Sequence, residues 1–203
     1  MIDYQTIQTN IYARLRHDQL TIDPALASHP RACAELIETF LQDHLYECIP
    51  DDIGFYTRSS TAKALADCSC YDTAGKYYAF DIKTHRMGKW GMPNVTSYKK
   101  LDTFYQTSTN IFVIILVDYT VNDKGTILPH AVKVVPIEHV PWKYLAVQGT
   151  LGQIQIINAE KIQVDRTLNR DEWIQEFYEQ VETGIKKKIS LLTEELERFA
   201  VKA

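Results

Sequence analysis

Residues 111–119, IFVIILVDY, form a largely β-branched run that is apolar without a break through Val117. The run is too short to cross a bilayer, which takes about 20 residues. Its length and β-branching instead predict a strand buried on both faces, at the centre of a sheet. Such a strand needs a covering layer on either side, and helical patterns elsewhere in the chain supply them. Ile7, Ile11 and Leu15 share one face of a short helix. Over residues 31–46, Leu36, Ile37, Phe40, Leu41 and Leu45 recur at helical spacing, and the turn at Pro50, Asp51 and Asp52 closes that helix.

Two β-prone stretches, residues 62–70 and 77–84, flank the turn-rich Asp72-Thr-Ala-Gly75 and predict a hairpin. Residues 97–105 have helix-compatible spacing, while 131–137 and 153–157 read as further strands. Asn169, with Glu172 three residues on, has the form of a helix N-cap opening a long helix through Phe199. This order predicts an α/β fold (α+β, with a central mixed sheet flanked by helices). At 203 residues, with no repeat, low-complexity segment or linker, the expectation is one domain spanning residues 1–203.

MIDYQTIQTN lacks a charged-then-apolar signal pattern and no apolar run reaches about 18 residues, so the expectation is a soluble, cytoplasmic protein without a membrane partner. Cysteines are few: Cys33, Cys48, Cys68 and Cys70. Cys68 and Cys70 lack a second pair or a His at zinc-ligand spacing, and read as small residues on a half-buried strand. The six histidines show neither H-x-x-x-H spacing nor a Ser/Asp partnership, which argues against a nucleophilic triad or a zincin.

A net charge of −4 is unfavourable for phosphate binding, but its distribution matters more than its sum. Lys83, Arg86, Lys89, Lys99 and Lys100 occupy a segment with no acidic residue, while Glu194, Glu195 and Glu197 collect in the last helix. That pattern suits a confined nucleic-acid groove on an acidic body. Lys186, Lys187 and Lys188 fit a solvated face, a phosphate contact or a subunit interface alike.

Chemistry concentrates at Asp81-Ile82-Lys83. Residues two apart on a strand point to the same side, so the Asp81 carboxylate and the Lys83 ammonium project together while Ile82 faces the core. Asp67 converges on them across the hairpin. Two carboxylates beside the Ile82 carbonyl make an all-oxygen set of the kind Mg²⁺ uses, with water and a phosphate oxygen completing the shell. Lys83 can hold the phosphate and the attacking water, or accept the water's proton if its pKa is lowered.

The run DIKTHRMGKWGMPNVTSYKKL, residues 81–101, resembles the segment that joins the D-x-K strand to a P-N-[IV]-[TI]-S motif in HincII- and HpaI-like type II restriction endonucleases of the PD-(D/E)xK superfamily. NIFVIILV and GQIQI follow in the same order, so the likeness covers roughly residues 60–160. The flanking helices are more similar to SwaI, and EcoRV is a more distant resemblance. The resemblance implies a restriction-endonuclease-like fold and a homodimer on double-stranded DNA. It implies Mg²⁺-dependent (Mn²⁺ substituting) double-strand cleavage at a short palindrome, blunt and with 5′-phosphate ends.

It further implies Asp67 and Asp81, with the Ile82 carbonyl, as metal ligands and Lys83 as the catalytic lysine. Glu35 stands as the acidic residue of the early helix, with Glu38 competing. Asn94 is placed toward the major groove, Thr84 after the lysine, and Met92 where an apolar wedge enters the duplex. Arg86, Lys89, Ser97, Tyr98 and Lys99 are candidate phosphate contacts. Gln148, Gly149 and Thr150 occupy the place of a second groove-reading loop. A structure-specific repair or mobile-element nuclease, and a catalytically silent DNA-binding protein of the same fold, remain as alternatives.

Overall fold

A computed structural model describes residues 2–50, 53–59, 64–89 and 91–200. Its elements are α1 (Tyr4–Asp18), α2 (Pro30–Cys48), β1 (Ile53–Arg58), β2 (Cys68–Asp72), β3 (Tyr77–Arg86), β4 (Asn94–Ser97), α3 (Tyr98–Tyr105), β5 (Ile111–Val121), β6 (Ile127–Pro136), β7 (Leu145–Gln148), β8 (Gln153–Ile156) and α4 (Arg170–Ala200). β1, β2, β3, β5 and β6 make one mixed sheet in that order, parallel only between β3 and β5. β4 and α3 lie within the β3–β5 crossover. A smaller antiparallel sheet runs β4, β8, β7.

β5 is the expected central strand, and its alternate residues serve two cores. Val113, Ile115, Val117 and Tyr119 pack with Tyr78, Phe80 and Ile82 of β3 against α1 and α2. Phe112, Ile114 and Leu116 pack on the other face with α3, β8, Trp173 and Phe177. Ile7, Ile11 and Leu15 of α1 and Ile37, Leu41 and Leu45 of α2 are all buried, as their spacing requires. The Asp3 carboxylate caps α1 by accepting from the Gln5 amide at 3.0 Å, and Asn169 Oδ1 caps α4 by accepting from the Asp171 amide at 2.8 Å.

The hairpin turn forms around Asp72, whose carboxylate accepts from the amides of Ala74 at 3.0 Å and Lys76 at 2.9 Å, with Gly75 at φ 79°. The first strand of that hairpin starts at Cys68 and ends at Asp72, later than the expected 62–70; residues 62 and 63 lie outside the described residues, as do Asp51 and Asp52. β1, β4 and β7 lie outside the strands that the sequence pattern predicts. β1 is an edge strand whose Phe55 is exposed, so it carries no alternating apolar signal. Cys33, Cys48, Cys68 and Cys70 are buried and free, and burial pushes the Cys68 thiol up to about 11. No described helix is long and apolar enough to cross a membrane.

Candidate active site

β3 continues past the end of β2, so the two-residue period that buries Tyr78, Phe80 and Ile82 carries Asp81, Lys83 and His85 along the opposite side. Asp81 is buried, with Oδ1 accepting from Lys83 Nζ at 2.8 Å. Its Oδ2 is buried with no hydrogen-bond partner among the described residues. Lys83 Nζ also donates to the Ile82 carbonyl at 3.2 Å.

Asp67 sits one residue before β2 and extends its ladder, its amide donating to the Phe80 carbonyl at 2.9 Å. Its side chain reaches β3, where Oδ2 accepts from the Ile82 amide at 2.6 Å. Gln42 of α2 donates weakly to Asp67 Oδ1 and to Glu38 Oε1, both at 3.4 Å. Thus Asp67, Asp81, Lys83 and Glu38 meet where α2 faces the start of β2 and the middle of β3.

Burial pushes the Asp81 carboxyl up to about 7 against the pull of the Lys83 cation, with the Asp67 charge adding to the rise. Burial works against the Lys83 ammonium, but Asp81 foremost, then Asp67 and Glu38, hold its pKa above the ordinary lysine value. Lys83 is therefore a cation at neutral pH. Desolvation, and then the neighbouring Asp67, raise Glu38.

The donor set suits a hard divalent cation. A buried carboxylate oxygen with no partner is costly on its own, and here it accompanies a second carboxylate and the Ile82 carbonyl. Among the described residues, no three His, Cys, Asp or Glu side chains gather as a metal-holding group. Two carboxylates and a main-chain oxygen, with water and phosphate filling the rest, match Mg²⁺ usage rather than a closed protein cage.

Other sequence-derived candidates divide. Thr84, Arg86, Lys89, Met92 and Asn94 line one open cleft of about 560 Å³ together with Lys83 and Glu38. Arg86 Nη1 donates to the Ala27 carbonyl at 2.5 Å. Asn94 Oδ1 accepts from Gln155 Nε2 at 2.5 Å, tying the cleft wall to β8. Ser97 closes β4, Lys99 is exposed on α3, Gln148 ends β7 half-buried, and Thr150 is exposed beyond it.

Three further candidates lie outside the lining of that cleft. Glu35 is exposed and paired with Arg31 at 2.8 Å; one turn further along α2, Glu38 is the carboxylate beside Asp67. Tyr98 is buried in the second core, because the first turn of α3 faces inward there. Gly149 is buried against α4, so close that an added Cβ would lie 2.0 Å from the Gly184 carbonyl oxygen.

One cluster lies outside the residues that the sequence pattern singles out. His85 Nδ1 lies 3.0 Å from Asp118 Oδ1, and Lys133 Nζ donates to Asp118 Oδ2 at 3.0 Å. The parallel register pairs His85 directly with Asp118. Extending the period of Asp81 and Lys83 by one more step would have found His85. Its partner is a matter of strand pairing.

No family model and no curated protein matches the chain. Among solved structures, it is similar to Hjc, a Holliday junction resolvase from Archaeoglobus fulgidus, at 12% identity and a TM-score of 0.35, over 69% of this chain and 97% of that one. A likeness that loose carries no argument. The functional reading rests on the residues themselves.

Proposed function

We propose that this protein is a metal-dependent endonuclease that hydrolyses DNA phosphodiesters at the Asp67, Asp81 and Lys83 site. The observation that carries the reading is the buried, unpartnered Oδ2 of Asp81 beside the Asp67 carboxylate, with the Lys83 cation on Oδ1. Asp67, Asp81 and the Ile82 carbonyl would hold Mg²⁺, with Mn²⁺ as a substitute. A bound divalent ion supplies Lewis acidity at a phosphoryl oxygen and lowers the pKa of a water molecule.

The protein's own groups do the rest. The Ile82 amide fixes the Asp67 carboxylate, so little reorganisation is needed when phosphate arrives. Lys83, held cationic, is suited to neutralise charge on the scissile phosphate and orient the attacking water, rather than to take its proton. Thr84, Arg86 and Lys89, which line the adjoining cleft, would follow the DNA backbone, and Asn94 would offer its side-chain amide to base edges. Within this activity we favour a type II restriction endonuclease, two subunits cutting a short palindrome in double-stranded DNA. The residues 81–101 likeness to HincII- and HpaI-like enzymes, with its blunt cutting and 5′-phosphate products, supports that choice.

The test is digestion of a mapped plasmid by the purified protein with Mg²⁺, alongside EDTA and Lys83→Ala. Discrete fragments that vanish in both controls support the restriction enzyme. Smears, or cleavage confined to branched substrates, favour a structure-specific nuclease. DNA binding without cleavage on several unmethylated DNAs leaves a silent binding protein and sinks the reading.

A further inference from the structure

α4 begins as a core helix and ends as something else. Trp173 and Phe177 are buried in its first turns, and Gly184 packs on Gly149 and Val147. From Ile189 to Ala200 every residue is exposed, so this stretch runs with no described part of the chain against it. Yet Ile185, Ile189, Leu192, Leu196 and Phe199 recur at spacings of four, three, four and three, and all are exposed; Leu196 is 70% exposed and Phe199 62%. That is the a/d spacing of a coiled-coil seam. A lone helix of about 12 residues is marginal in water, and a stripe of this kind is stable only when another surface covers it.

Charge selects the occupant. With Ile189 and Leu196 at a positions and Ile185, Leu192 and Phe199 at d positions, Lys188 and Glu195 both fall at g and Lys186 at e. An antiparallel pair of identical helices sets a against d of the partner, Ile189 over Leu192 and Ile185 over Leu196. The same register brings Lys188 beside Glu195 of the other copy, twice by symmetry. A parallel pair would set Lys188 against Thr193 and gain no ion pair. The basic run Lys186–Lys188 and the acidic run Glu194, Glu195 and Glu197 on one helix are thus complementary to a second copy of themselves in reverse.

We propose that the outer half of α4 is a self-association surface, forming an antiparallel two-helix coiled coil with a second copy of this chain, centred between Ser190 and Leu191. It gives the pairing required by the proposed double-strand cut a physical surface, but it is argued from the helix alone and survives if the nuclease reading fails.

The experiment is light scattering on the full chain across a concentration series, with circular dichroism to confirm folding. The expected mass is twice the 23.4 kDa of one chain. Ile189→Glu with Leu192→Glu should give a folded monomer. Lys188→Glu should weaken the dimer by about tenfold, since two pairs become repulsive, and adding Glu195→Lys to the same chain should restore it. A wild-type monomer at high concentration overturns the proposal, as does a dimer indifferent to the paired glutamates. Failure of the charge swap to restore association overturns the antiparallel register. Plasmid cleavage, measured on the same samples, reports separately on the nuclease reading.

Discussion

Asp81 Oδ1 takes a 2.8 Å hydrogen bond from Lys83 Nζ while the Oδ2 of the same carboxylate is buried with no hydrogen-bond partner among the described residues. The asymmetry leaves one oxygen available for a cation, and burial prices it by raising the carboxyl from the ordinary 3.8 to about 7. Because the folded protein holds this proton more tightly than the unfolded chain, the contribution of Asp81 to metal-free stability is fully present below its ordinary 3.8 and is lost as pH rises through about 7. Divalent binding requires the ionised form, so proton and metal compete. Calcium affinity, measured by calorimetry without DNA, should rise about tenfold per pH unit below 7 and level off above it. A flat profile between pH 5.5 and 8.5 would remove Asp81 from the ligand set.

Glu38 and Glu35 provide a contrast on one helix. Glu38→Gln should lower cleavage by about 10- to 100-fold, the usual cost of losing a group that supports a metal ligand. Glu35→Gln, which removes only an exposed pair with Arg31, should leave the rate within about twofold. Equal losses in single-turnover assays would mean that both carboxylates enter the site when DNA is bound.

Gly149 has no room for a side chain. Gly149→Ala drives its Cβ against the Gly184 carbonyl, which belongs to helix backbone and cannot swing away. We expect about 1–3 kcal/mol of destabilisation by urea unfolding. Thr150→Ala, one residue on and exposed, should stay within about 0.5 kcal/mol.

Asp118 holds the His85 ring and the Lys133 ammonium inside the sheet. Asp118→Ala strands Lys133 and removes the His85 partner, at a cost on the order of 3–5 kcal/mol in thermal or urea unfolding. An unfolding midpoint unchanged from wild type would show that water replaces the carboxylate there without penalty.

Much of the scaffold was written in local pattern. IFVIILVDY dictated a strand covered on both sides because no other environment accepts so many consecutive apolar residues, and β5 is that strand. Helical spacing at Ile7, Ile11 and Leu15, and at Ile37, Leu41 and Leu45, fixed which faces are buried. The two-residue period placed Asp81 and Lys83 side by side, since strand geometry alone guarantees it. The 4-3-4-3 repeat in α4 is equally a property of the chain, although its exposure is not.

Pairings between elements distant in sequence were decided only by the fold. Whether Glu35 or Glu38 reaches Asp67 depends on how α2 is rotated over the sheet, and the two lie close enough on a helix that spacing cannot separate them. Asp118 meets His85 because β5 runs parallel to β3 in one register, and a parallel register is set by the crossover rather than by either strand. Tyr98, in the expected 97–105 helix, and Gly149, in an expected loop, read as surface positions in sequence, but the docking of α3 and α4, which the chain specifies only through the whole core, buries both. Periodicity determined each element's inward face; the packing of those faces on one another determined which side chains share the site.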